Sequence, residues 1–292
     1  MGKVFAHCRV DLHKDPIDAS ISDILNYFGD LFSQKKSFSV INTAKVAISH
    51  YLHFPPYKYL SDHPAVDKFF TGLFNLQPPK PKISTIWDVN TVFTHISSWG
   101  SNAVITDRQL TQKLAFLLLL LGGQRVNTIF NFHTDRMIFS TTSVTFAPAT
   151  VLKHSRKGSK LNSFTYRAYP QDNNLCVVEC LKEYLSRRES KIAGSVTNLF
   201  VTYGKPYKAA SIDTVRRWVK DLFNECNINF SPHSCRSAST SKALDCGVNL
   251  SDILTKGCWK NCKTFMNFYK KDIVQESEVD FNVIVCDENN KN

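Results

Sequence analysis

The fold is decided by Thr106-Asp-Arg-Gln-Leu-Thr-Gln-Lys-Leu-Ala-Phe-Leu-Leu-Leu-Leu-Leu-Gly-Gly-Gln-Arg125. Its apolar run, Leu114 to Leu121, is far shorter than the ~20 residues a bilayer span requires, so it reads as a helix buried in a protein core. Thr106 and Gln109 stand three apart, the spacing at which a side chain and a backbone amide cap each other at a helix start. Gly122-Gly123 then interrupts the helix before another short helical stretch. A buried helix thus delivers Arg125 to a defined place.

Downstream, β-rich stretches at Met137-Ser140, Ser143-Phe146 and Phe164-Tyr169 predict a small sheet. Between the last two lies Lys153-His-Ser-Arg-Lys-Gly-Ser-Lys160, turn and charge throughout, which reads as a basic hairpin. Helices resume from Leu175. The clearest covers 211-225, where Ile212, Val215, Trp218, Val219, Leu222 and Phe223 share one face. Upstream, Ile17, Ile21, Ile24, Leu25, Phe28, Leu31 and Phe32 recur at helical spacing, with further helical patterns around 41-52 and 64-75. This all-helical unit, residues 1-76, ends in Gln77-Pro-Pro-Lys-Pro-Lys82, whose prolines favour a stiff extended linker. Residues 83-292 form the larger unit. The fold class is mainly α with a small β-sheet.

The 292 residues are 43% hydrophobic and 21% charged, which excludes a disordered chain. There are 36 Lys+Arg against 25 Asp+Glu, for a net charge of +11. The tail 274-292 carries five of the acids and one base, so residues 1-273 stand at +15, an excess suited to a polyanion such as nucleic acid. No membrane partner is expected, and the N-terminus has no apolar signal region. The nine cysteines are odd in number, and the close pairs Cys176/Cys180 and Cys258/Cys262 lack zinc-site spacing, so they read as reduced, mostly core thiols. No phosphate-binding loop, dinucleotide fingerprint, zincin pair or hydrolase elbow occurs, which removes the usual support for those chemistries.

What remains is an ordered set: Leu-Gly-Gly-Gln-Arg125, the hairpin at Lys153, Ser-Pro-His233-Ser-Cys-Arg236 opening a Ser/Ala-rich helix, Gly-Cys-Trp259, and Thr264-Phe-Met-Asn-Phe-Tyr269. Over about residues 15-275 the chain resembles the tyrosine recombinase (phage integrase) family. The wording around Arg236 and Tyr269 is most similar to recombinases of eukaryotic mobile elements of the DIRS and Crypton kind. The resemblance implies a two-domain clamp on double-stranded DNA, a helical SAM-like core-binding domain at 1-76 plus an integrase-like catalytic domain at 83-292. It implies cleavage and rejoining of DNA through a 3′-phosphotyrosyl intermediate, without ATP, metal or other cofactor. Self-association into a tetrameric synapse and a nuclear location follow from the same resemblance.

By that resemblance Tyr269 is the nucleophile. Arg125 and Arg236 are guanidinium forks on the phosphate, where other enzymes use a metal ion. Lys153 protonates the leaving 5′ oxygen, with Lys157 and Lys160 as alternatives on the same hairpin. His233 accepts the tyrosine proton or donates to phosphate, and Trp259 offers its indole N–H to a non-bridging oxygen. Arg156, Lys157, Lys160, Lys260 and Lys263 sit in two acid-free basic stretches, 153-167 and 256-271, expected to flank the phosphate.

Two departures carry consequences. Thr128 stands where many members have an acidic residue that orients the first arginine. Ten residues separate Trp259 from Tyr269, so a turn is needed near Asn261 to bring them to one face. The family's first helix is expected to be missing before Asp15. A domesticated or truncated non-catalytic DNA-binding protein is the alternative reading, and a type IB topoisomerase-like relaxing enzyme would use similar residues.

Overall fold

The structure is a computed structural model that describes residues 18-78, 84-152, 155, 158, 162-192, 196-259 and 261-274. It divides into two compact units, Met1–Lys82 and Ile83–Asn292.

In the first unit, three helices pack around one apolar cluster: α1 (Ile21–Ser33), α2 (Phe38–Ser49) and α3 (Pro64–Leu76). Each starts on a side chain that accepts a backbone N–H, Ser20 for α1, Ser37 for α2 and His63 for α3. The second helix begins at Phe38, three residues before the sequence pattern places it, because Ser37 caps it there. Phe28, Ile41, Leu60 and Val66 are fully or nearly fully buried, and the Phe28 and Phe70 rings meet edge to face at 5.3 Å.

The second unit is built on the quoted stretch. After β1 (Thr85–Ile86) and α4 (Val89–Ser98), helix α5 spans Asp107–Gly122, with the reciprocal Thr106/Gln109 cap in place. Every residue from Leu110 to Leu120 is buried, polar Thr111, Gln112 and Lys113 included, so α5 is enclosed on all sides over that stretch, while Leu121, the last of the apolar run, is exposed. Each such leucine contributes ~1.5–3 kcal/mol by leaving water. Gly123 ends the helix at φ +57, a left-handed conformation that glycine adopts without strain.

Next come α6 (Val126–Phe130) and an antiparallel sheet of β2 (Met137–Phe139), β3 (Ser143–Phe146) and β4 (Phe164–Arg167), in that order. The Tyr166 hydroxyl donates to the Leu118 carbonyl at 2.9 Å, fastening β4 to α5. Helix α7 (Val177–Glu189), α8 (Ile212–Glu225) and α9 (Cys235–Asp245) pack around α5. The buried residues of α8 are Val215, Trp218, Val219, Leu222 and Phe223, with Ile212 half-buried. Two short helices follow, α10 (Leu250–Lys256) and α11 (Cys262–Phe268), and then β5 (Asp272–Ile273). The last strand pairs in parallel with β1, an association across the whole unit that two-residue strands give no sequence sign of.

Cys176, Cys180 and Cys235 are buried, but Cys246 and Cys262 are exposed, so the thiols are more mixed than a core reading allows. Among the described residues no helix is long and apolar enough to cross a membrane.

Candidate active site

Arg236 is fully buried at the first turn of α9, an unusual place for a cation. Two glycine turns grip it. Its guanidinium donates to the carbonyl of Gly123, just past the end of α5, and to that of Gly257, just past the end of α10. Gln124 ties these turns together, its amide nitrogen donating to Gly122 at 2.8 Å and to Lys256 at 3.0 Å. The guanidinium carbon lies 3.6 Å from the Trp259 ring centroid and 5.2 Å from that of Tyr269. Arg236 Nε remains buried without a partner among the described residues, and so does Trp259 Nε1.

Burial, and then the charge of Arg125, pull the Arg236 pKa down to about 10, opposed by the nearby Tyr269 and Cys258. Arg236 is still a cation at neutral pH. Arg125 itself occupies the cap position before α6, half-buried, and its charge acts on Arg236. The two guanidinium groups therefore repel one another, an arrangement an anion would relieve. Thr128 is buried on α6, and its backbone N–H donates to the Arg125 carbonyl at 2.8 Å.

Tyr269 follows directly on α11, half-buried. Asn261 starts that helix by accepting the Lys263 amide at 2.8 Å, which supplies the turn the Trp259 to Tyr269 spacing calls for. The two rings meet at 4.8 Å and 68°. The Trp259 ring lies so close to Gly257 that a side-chain carbon added there would fall within it. His233, on an exposed turn before α9, has its ring 6.2 Å from that of Tyr269. That turn is fixed from outside, because Trp87 Nε1 donates to Ser234 Oγ at 2.8 Å. Trp87 follows β1, and β1 also pairs with the segment beyond Tyr269.

Arg125, His233, Arg236, Trp259 and Tyr269 are thus gathered around one guanidinium. Lys263 is exposed in the first turn of α11. Lys153, Arg156, Lys157, Lys160 and Lys260 lie outside the described residues, as do 79-83 and the tail from 275. Sequence reasoning did not find Gln124, Trp87 and Ser234. Each acts by reaching a residue distant in the chain, and no local pattern carries that. Among the described residues no group of three or more His, Cys, Asp or Glu could hold a metal ion.

A model of the phage integrase family matches residues 100–275. No curated protein matches the chain. Among solved structures, the XerH site-specific recombinase bound to difH substrate in a pre-cleavage complex aligns with a TM-score of 0.60 at 12% identity, over 90% of this chain and 71% of that one. The Tn1549 transposon integrase in complex with circular intermediate DNA gives 0.56 at 12%, over 92% and 85%. A lambda integrase dimer bound to a COC′ core site gives 0.52 at 12%, over 90% and 84%. At such identities the likeness shows the fold, which is that of tyrosine recombinases. The chain belongs to the phage integrase family.

Proposed function

We propose that this integrase-family chain cleaves and rejoins DNA as a recombinase, with Tyr269 as nucleophile. The observation that carries the reading is the buried Arg236 guanidinium set against the Trp259 and Tyr269 rings, with donors at Arg236 Nε and Trp259 Nε1 that have no partner among the described residues. Donors that stay unpaired in a buried site suit a group that arrives with negative charge and acceptor oxygens, as a phosphodiester does.

In the proposed reaction the Tyr269 oxygen attacks phosphorus, forming a 3′-phosphotyrosyl bond as the bond to the 5′ oxygen breaks. The phenolic proton goes to His233, and a lysine of the 153-160 hairpin, Lys153 first, protonates the leaving oxygen. Arg125 and Arg236 hold the non-bridging oxygens. The phosphate energy stays in the tyrosyl linkage, so a DNA hydroxyl reseals the strand without ATP. Residues 1-76 serve as the core-binding domain of a DNA clamp, joined by 77-82 to a catalytic domain at 83-292. Arg156, Lys157, Lys160, Lys260 and Lys263 bind the backbone beside the cut. Tetrameric assembly on DNA, a nuclear location and descent from a DIRS-like or Crypton-like element belong to the same reading.

The test is incubation with nicked suicide DNA substrates in EDTA, followed by a search for covalent protein–DNA adducts. The expected result is an adduct on the peptide containing Tyr269, lost in Tyr269→Phe, which removes one oxygen and keeps the ring. DNA binding without any adduct would instead favour a non-catalytic DNA-binding protein.

A further inference from the structure

A nucleophile must be held, and α11 is poorly suited to hold one. It is seven residues long, with Phe265 its only buried residue, and a helix so short has little stability of its own. Tyr269 leaves it at φ −121 and ψ −33, with its own amide and that of Lys270 bonded back to the Phe265 carbonyl at 2.8 and 3.1 Å. A second hold comes from α9. Ser241, 1% exposed on α9, donates its hydroxyl hydrogen to the Tyr269 carbonyl at 3.3 Å and accepts the Lys271 amide at 2.9 Å. One hydroxyl therefore uses both its donor and its acceptor capacity to grip the chain on either side of Lys270.

Ser241 lies five residues after Arg236 on the same helix. The guanidinium faces the Tyr269 ring while the hydroxyl grips the Tyr269 backbone, so α9 fixes the tyrosine at both points. We infer that Ser241 is a positioning residue that sets Tyr269 against Arg236 for the attack on phosphorus. This rests on the recombinase reading above. The next restraint downstream, the Asp272 amide on the Ser84 carbonyl at 2.9 Å, holds the strand pair but not the tyrosine. Losing the Ser241 hydroxyl therefore leaves the fold closed and removes one of the two holds on the Tyr269 backbone. Misplacement of a reacting group by about 1 Å slows a reaction on the order of 10²-fold.

The experiment compares the full chain with Ser241→Ala and with Thr240→Val. Thr240 is the neighbouring buried hydroxyl of α9 and, among the described residues, bonds within that helix, to the Arg236 and Ser237 carbonyls, so it controls for general loosening of α9. Three quantities are read: the single-turnover rate of adduct formation on suicide DNA, DNA affinity, and hydrogen exchange of the Lys271 and Val274 amides. In Ser241→Ala the adduct rate should fall roughly 10- to 100-fold with affinity held within about twofold. The Lys271 amide should exchange faster, while Val274, bonded to the Ile86 carbonyl at 2.8 Å, keeps its protection. Thr240→Val should keep the parent rate.

An adduct rate in Ser241→Ala within twofold of the parent overturns the inference. So does unchanged Lys271 exchange, or an equal slowing in Thr240→Val. If the unsubstituted chain forms no adduct, the recombinase reading fails and takes the catalytic consequence with it; the Lys271 exchange then decides separately whether Ser241 holds this segment.

Discussion

Helix α5 and the segment from Gly257 to Val274 are held by different forces. From Leu110 to Leu120 the helix is enclosed on every side, and its place follows from the apolar area it removes from water. In the later segment Gly257 and Phe265 are the buried residues among those described, and the rest is placed by a few directed contacts: the Gly257 carbonyl on Arg236, ring edges between Trp259 and Tyr269, Ser241, and a two-residue strand pair. The first arrangement is strong and indifferent to detail. The second is weak in total but geometrically specific, which is what a reacting group requires. The proposed chemistry therefore hangs on the core by a small number of directed contacts.

The comparison breaks most visibly at Leu117. Leu117→Ala empties a fully buried position and should destabilise the chain by about 2–5 kcal/mol in urea unfolding. A loss below about 1 kcal/mol would mean that α5 is not the enclosed core element described. In the later segment the contrast is with Gly257→Ala. The added carbon displaces the Trp259 ring from its seat, so adduct formation should drop by about 10²-fold while the unfolding midpoint moves much less. Parent-like cleavage by that variant would show that the Trp259 seat is irrelevant to the chemistry.

A finer test lies inside α5 itself, at Lys113. Its ammonium is buried with no hydrogen-bond partner among the described residues, and burial lowers its pKa from the ordinary 10.5, with Cys180 and Asp172 opposing. Replacing it by the similarly long Met should stabilise the chain by about 1–3 kcal/mol at pH 7, since no partner is orphaned by the change. The sign with pH follows from the lowered pKa. Between the folded value and 10.5 the unfolded chain binds the extra proton, so Lys113 makes stability rise with pH across that window. Unfolding free energies of parent and variant should therefore converge from pH 7 towards pH 10. A gap that stays constant would mean that Lys113 does not titrate with folding.

The sequence by itself determined the elements whose cause is local or periodic. The Thr106/Gln109 cap, the enclosed run from Leu114 to Leu120, the apolar face of 211-225 and the three strands could be read because each follows from spacing along a few turns of chain. The turn at Asn261 was legible for a related reason, since ten residues on one helix cannot place Trp259 and Tyr269 on the same face. Tertiary structure alone decided what grips those residues. Burial of Arg236 by carbonyls at positions 123 and 257, the Gln124 bridge, the Trp87 bond to Ser234, the Ser241 grip and the β1 to β5 pairing all join residues far apart in the chain. Hydrophobic periodicity is written in sequence because burial depends on area, to which many residues contribute. A single directed bond depends on where two distant backbones pass each other, and that is fixed only when the core has closed.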